Sequence, residues 1–198
     1  MNEVIENITD AFLAQSWLEV VAVITAILYL VLAVKENKWC WFYGFISTGI
    51  YVYLFYDVSL LSESLLNFYY LIMAVYGWTQ WNNNGDILKV KISKLQSETH
   101  VKILIGCTIL TPFIGYLMQK LGASFPYIDA FVAMLAVIAT LMTTKKIFEN
   151  WYYWLLVDVI SIYLFWQKQM YLTALLFVVY IVLIFIGIRN WKKLMDEQ

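Results

Sequence analysis

Trp154, Asp158 and Ser161 stand at i, i+4 and i+7, so one helical stripe would carry an indole face, a carboxylate and a hydroxyl. A carboxylate beside an indole is the chemistry needed to hold a flat cationic ring, by charge attraction together with a cation–π contact. Glu63, Asn67 and Tyr70 repeat that spacing earlier in the chain. The bland alternative has Asp158 bonding a neighbouring hydroxyl, Trp154 facing lipid or core, and Asn67 only tying helices together. An ionisable group at the centre of a membrane helix costs about 2.5 to 3.5 kcal/mol on insertion scales, which favours a ligand-binding task over the bland assignment.

These side chains need a scaffold, and composition indicates which solvent it uses. Of the residues, 63% are apolar and only 14% charged, more apolar than a soluble core of this size requires. Several apolar runs reach the ~20 residues needed to cross a hydrocarbon layer without a central Lys or Arg. They are apolar on nearly all faces, where a barrel strand would alternate. The pattern predicts an all-α membrane protein with seven transmembrane helices: Trp17–Val34, Trp39–Tyr56, Leu60–Trp81, Val101–Gln119, Pro126–Thr143, Asn150–Trp166 and Tyr171–Trp191. Trp39, Trp41, Trp78, Trp81, Trp151 and Trp191 crowd the helix ends, where an indole can span the interface.

Charge sets the expected orientation. Alternate connections hold only Lys120 and Lys168 on one side, against Lys35, Lys38, Lys89, Lys91, Lys94, Lys102, Lys145, Lys146, Arg189, Lys192 and Lys193 on the other. That imbalance places the N-terminus outside and the C-terminus in the cytoplasm. The first residues carry Glu3, Glu6 and Asp10 and read as a retained acidic tail rather than a cleavable signal.

Shifting the sequence by 110 residues without a gap gives about 13 identities in about 65 positions, where composition alone would give roughly four or five. The pairs include Lys35 with Lys145, Trp41 with Trp151, Tyr70 with Tyr180, Gly77 with Gly187, and Trp81 with Trp191. Thr48 falls opposite Asp158, which adds it to the candidate site. Three helices per unit would invert the second copy, so the helix between them restores a common direction and makes the repeats parallel. The expected architecture is 3+1+3 about a pseudo-twofold axis along the membrane normal, like sugar carriers of the SWEET kind.

The chain divides accordingly into an extracytoplasmic tail (1–16), a first repeat (17–81), a cytoplasmic linker plus linker helix (82–125), a second repeat (126–191) and a cytoplasmic tail (192–198). Pro112 is expected to bend the linker helix. Glu19 and Asp129, equivalent positions near the outer ends, suit capping or contacts between repeats. Cys40 and Cys107 read as small buried hydrophobes and His100 as a solvated loop residue, so no metal or cofactor is expected. Without GxSxG, HExxH or a phosphate-binding glycine loop, the chain reads as non-enzymatic.

The stretches LLNFYYLIMAVYGWTQW (65–81), MTTKKIFENWYYWLLVDVIS (142–161) and YLTALLFVVYIVLIFIGIRNW (171–191) resemble the Pnu vitamin transporters. The resemblance runs from about residue 17 to the end of the last helix. It implies two SWEET-like bundles bridged by a fourth helix, assembly as a homotrimer in a bacterial inner membrane, and facilitated diffusion with trapping by a cytoplasmic kinase. The implied substrate is a small cationic vitamin bound by Trp154, Asp158, Asn67, Tyr70, Glu63, Ser161 and Thr48. Riboside transporters of the family carry WxxxN where this chain reads WxxxD, with Asp158 departing. Nicotinamide riboside is placed first, thiamine next and riboflavin third. Two other classes stay open: a substrate-binding subunit that needs an energising partner, and a membrane enzyme or scaffold that transports nothing.

Overall fold

The computed structural model describes residues 17–57, 61–82, 91–120, 122–123, 125–167 and 171–197. The expected tail (1–16), part of the linker (83–90) and Lys168 lie outside them. Seven helices occupy the described residues: α1 (Trp17–Val34), α2 (Cys40–Asp57), α3 (Leu61–Trp81), α4 (Ser97–Lys120), α5 (Pro126–Thr144), α6 (Asn150–Gln167) and α7 (Tyr171–Asp196). Four of them, α1, α4, α5 and α7, are long and apolar enough to cross a membrane. Helices α2, α3 and α6 have 18, 21 and 18 residues, a similar length. Their Tyr, Trp, Ser and Asn content lowers their hydropathy, and they carry most of the candidate site.

The packing order is a closed ring. Helix α1 packs on α2, α2 on α3, α3 on α5, α5 on α6, α6 on α7, and α7 back on α1, while α4 lies outside against α5. The outward surface carries large apolar side chains such as Leu65 (70% exposed), Ile109 (69%) and Phe113 (65%), a coat suited to lipid.

The ring is drawn tight where tryptophan meets glycine. The indole of Trp41 lies where a Cβ on Gly77 would be, and the Trp151 ring has the same relation to Gly187, whose Cβ would fall 2.7 Å from its Cη2. Trp41, Trp81, Trp191 and Trp151 form a chain with centroids 5.4, 6.1 and 5.3 Å apart, edge to face at both ends and tilted by 49° between Trp81 and Trp191. Trp81 Nε1 donates to the Thr144 carbonyl at 3.0 Å, and Trp191 Nε1 to that of Ala33 at 2.9 Å. Each bond joins the third helix of one three-helix group to the first helix of the other. These four indoles are buried, so end-of-helix position marks packing here; Trp39, 50% exposed, fits the interfacial reading. Gly187→Ala is expected to destabilise by about 1 to 3 kcal/mol, because the rigid indole cannot yield. Thermal unfolding in detergent checks this against Gly106→Ala, whose Cβ meets nothing within 4 Å.

The turns α1–α2 and α5–α6 match in backbone. Glu36 (φ 54°) and Lys146 (φ 51°), 110 residues apart, are the non-glycine residues in the left-handed region among those described. Their side chains form an ion pair at 2.5 Å, 10% and 5% exposed. Lys146 Nζ also lies 4.9 Å from the Trp81 ring centroid.

The linker departs from expectation. Residue Ser93 bridges to Ile147 in parallel, with Phe148 N–H donating to the Ser93 carbonyl at 2.8 Å. Leu95 N–H donates to Glu149 Oε2 at 3.0 Å, and Ile92 is buried in the core. Helix α4 starts at Ser97, four residues before the predicted Val101, and takes in His100. His100 is no solvated loop residue: its Nδ1 lies 3.0 Å from the Tyr153 hydroxyl, and that partner holds the polar first turn in a helix. Helix α7 likewise runs on to Asp196, through most of the expected C-terminal tail. Cys40 and Cys107 are buried, 0% and 3% exposed.

Candidate functional site

A cavity of about 540 Å³ occupies the middle of the ring and is lined by all six of its helices. Every candidate named from the sequence reaches it: Thr48 on α2, Glu63, Asn67 and Tyr70 on α3, and Trp154, Asp158 and Ser161 on α6. The helical spacing explains this convergence. On α6 the cavity-lining residues Trp151, Trp154, Asp158 and Ser161 mark successive turns of one stripe. On α3 the stripe Glu63, Asn67, Tyr70 and Ala74 runs antiparallel to it.

Asp158 is 2% exposed, and its carboxylate has no hydrogen-bond partner among the described residues. The alternative in which it bonds a neighbouring hydroxyl is not the arrangement formed. Tyr70 and Tyr180, on the third helices of the two groups, lie within electrostatic reach of it. The Tyr70 and Trp154 rings stand 6.3 Å apart, tilted by 58°, and make an aromatic wall beside the carboxylate.

Several of the other polar groups are anchored. Trp154 Nε1 donates to Thr143 Oγ1 at 3.2 Å, and Thr143 Oγ1 lies 3.2 Å from Asn150 Oδ1, which fixes the indole plane. Asn67 Nδ2 donates to the Glu63 carbonyl at 2.9 Å, leaving its own Oδ1 available as an acceptor. Thr48 Oγ1 donates to the Gly44 carbonyl at 2.8 Å. Glu19 and Asp129 also line the cavity, at the end away from the tryptophan chain.

The lining contains residues that the spacing argument missed: Tyr29, Trp41, Tyr51, Trp151 and Tyr180. Trp41 with Trp151, and Tyr70 with Tyr180, were visible as identities at the 110-residue shift, which was the available signal. Tyr29 fills the space over Gly44, where a Cβ would fall 2.9 Å from its Cδ2. At the positions 110 later the sizes are exchanged, Ala139 standing for Tyr29 and Trp154 for Gly44. One wall therefore receives its aromatic from the first helix of the group and the other from the second.

What this arrangement can do is hold a flat cation. It offers a buried carboxylate without a hydrogen-bond partner among the described residues, aromatic rings beside it and a lining that is otherwise mostly apolar.

Known proteins similar to this chain are vitamin transporters. The family described as nicotinamide mononucleotide transporter matches residues 16–193. The nicotinamide riboside transporter PnuC of Escherichia coli K12 is 26% identical over 210 residues, covering 92% of this chain and 88% of that protein. The riboflavin/roseoflavin transporter RibM of Streptomyces davaonensis is 23% identical, covering 88% and 84%. A crystal structure of the vitamin B3 transporter PnuC has the same fold, with a TM-score of 0.77 at 23% identity over 98% of this chain and 88% of that one.

Proposed function

From the premise that this chain belongs to the nicotinamide mononucleotide transporter family, and is therefore a multi-pass membrane transporter and no enzyme, we propose that it takes up nicotinamide riboside by facilitated diffusion. The observation that carries the substrate class is Asp158, buried without a hydrogen-bond partner among the described residues, against the cavity that Trp154 and Tyr70 line. An isolated buried charge is costly, and a bound cation removes that cost. Thr48, Glu63, Asn67 and Ser161 complete the proposed binding set around the ring and its hydroxyls.

All seven helices cross the bacterial inner membrane in this reading, with the N-terminus outside and the lysine-rich connections in the cytoplasm. The chain is a duplication, 17–81 and 126–191, with 82–125 as linker and linker helix and short tails at either end. The matched ties of Trp81 and Trp191, and the paired left-handed residues Glu36 and Lys146, support that division. Two equivalent halves that rock about a central site give alternating access. The proposed assembly is a homotrimer, and a cytoplasmic kinase traps the product by phosphorylation.

Thiamine is the second reading, favoured by the carboxylate at position 158 where riboside transporters carry Asn, since thiamine is also a flat cation. Riboflavin, which carries no permanent positive charge, has less use for Asp158.

Calorimetric titration of the detergent-purified protein with nicotinamide riboside, thiamine and riboflavin tests this. Saturable binding of nicotinamide riboside is expected, lost in Trp154→Ala, together with its uptake into liposomes containing the protein. Saturation by thiamine alone would move the substrate to the second reading, and binding without passage would indicate a subunit that needs an energising partner. No response to any of the three would overturn the vitamin assignment.

A further inference from the structure

Tyr29 is the aromatic residue that α1 contributes to the cavity lining, where its helix otherwise presents small or aliphatic side chains such as Val23, Ala26 and Ala33. The side chain is half-buried and lines the cavity, so a ligand held there can touch it. Its phenol ring lies on the backbone of α2 at Gly44, where a Cβ would fall 2.9 Å from Cδ2 and 3.4 Å from Cε2. The Trp41 ring meets it edge on, with centroids 5.7 Å apart and planes at 62°. Tyr29 is within electrostatic reach of Tyr70 and Tyr180, and both of those are within reach of Asp158. The phenol therefore stands close to the proposed binding set.

The other three-helix group is built the opposite way. Ala139 holds the position equivalent to Tyr29, is 0% exposed, and belongs to the core cluster on which Trp154 packs. Trp154 holds the position equivalent to Gly44. Each group thus supplies one ring at these paired positions, from α1 over a glycine in one case and from α6 beside an alanine in the other. At about 540 Å³ the cavity falls in the lower half of the range of about 300 to 1,000 Å³ usual for small-molecule sites. In a space of that size a single phenol ring decides what fits.

We infer that Tyr29, seated on Gly44, sets the width of the cavity, admitting flat cations one ring wide and excluding fused two-ring and three-ring cations of the same charge. The inference rests on the transporter reading and names a residue that decides specificity within it. Asp158 attracts any of these cations alike, so width has to be read by a wall. A wall discriminates only if it resists displacement, since close-packed surroundings penalise an oversized group that they cannot move aside for. Tyr29 has no room to retreat, because the α2 backbone lies behind its ring and Trp41 stands at its side.

The test is calorimetric titration of the detergent-purified full chain with nicotinamide riboside, 1-methylnicotinamide, 1-methylquinolinium and 10-methylacridinium. The first two are flat monocations of one ring, and the others have two and three fused rings. Tyr29→Ala is expected to raise the affinity for 1-methylquinolinium, relative to nicotinamide riboside, about tenfold or more. Tyr29→Phe, of equal width, should leave that ratio unchanged. Gly44→Ala lifts the ring off α2 and should weaken nicotinamide riboside about tenfold, yet change little in a Tyr29→Ala background, where the added methyl has no ring to displace. No gain for either wider cation in Tyr29→Ala overturns the inference, as does an unaltered protein that prefers them. The same gain in Phe55→Ala, which removes another lining ring, also overturns it, because total volume would then decide. Equal effects of Gly44→Ala in both backgrounds would overturn the seating of Tyr29 on Gly44. Should Tyr29→Ala fail to fold, Tyr29→Leu decides by the same ratio. If the unaltered protein binds none of the four compounds, the transporter reading falls as well, a result distinct from a selectivity that Tyr29→Ala leaves in place.

Discussion

Replacing Asp158 by Ala is expected to weaken nicotinamide riboside binding by about 100-fold or more and, at the same time, to raise the unfolding temperature of the empty protein. Both signs follow from one fact: the carboxylate is 2% exposed and has no hydrogen-bond partner among the described residues. In the empty protein it is a desolvated group without compensation, so its removal relieves a cost. With a cation bound it is half of a desolvated pair, and truncating one member of such a pair costs about 2 to 5 kcal/mol, mostly as faster dissociation. Asp158→Asn keeps the shape and loses the charge, and should fall between wild type and Ala. Calorimetric titration measures the first effect and thermal unfolding with and without ligand the second. Unchanged affinity in Asp158→Ala would place the cation elsewhere in the cavity. A lowered unfolding temperature in the empty variant would mean that the carboxylate has a structural partner after all.

Lys146→Met should destabilise the protein by about 3 to 5 kcal/mol and loosen the end of the ring where the tryptophans gather. The variant leaves Glu36 one-tenth exposed and without its counter-charge. Glu36→Gln should be milder, because Lys146 keeps its position over the Trp81 ring. Exchanging the charges, Glu36→Lys with Lys146→Glu, should recover much of the loss, since both residues sit in matching turns with the same left-handed backbone. Cys40 is a natural probe of this end, being 0% exposed. In a Cys107→Ser background its alkylation should speed up several-fold in Lys146→Met and slow again in the exchanged pair. Equal alkylation rates in all variants would show that the ion pair does not hold this end closed.

The fold was legible because hydropathy reports which solvent each segment prefers, and the interior apolar runs give helices to within a residue or two, as at Trp17–Val34. The ends were less legible, because they depend on partners. The start of α4 at Ser97 follows from contacts that no local signal carries: Ser93 against the α5–α6 turn, and His100 against Tyr153. Tryptophans at helix ends could have met lipid headgroups or one another, and only the glycines opposite them, Gly77 and Gly187, decide for burial. The candidate residues all reached one cavity because helical spacing and the packing order of the ring act together. Spacing selects a stripe on each helix, and the order of helices around the ring selects which stripes face each other. Tyr29 escaped notice because its counterpart at 139 is alanine, so the comparison of halves gave no identity there.

Thr48 opposite Asp158 raises a question of parity. A site on the axis of two identical halves can contain carboxylates only in even numbers: none, which leaves a cation unbalanced, or two, which overcompensates it. Glu19 and Asp129, equivalent positions that both line the cavity, keep that even count. At Asp158 the halves differ, Thr48 holding the equivalent position, and they differ again at Glu63, whose counterpart is Thr173. In the proposed duplication, covalent linkage of the two halves is what makes an odd number available, since each half can then change without the other. A carboxylate present in one half and absent from the other is thereby a property of the joined chain that no pair of identical copies could reproduce.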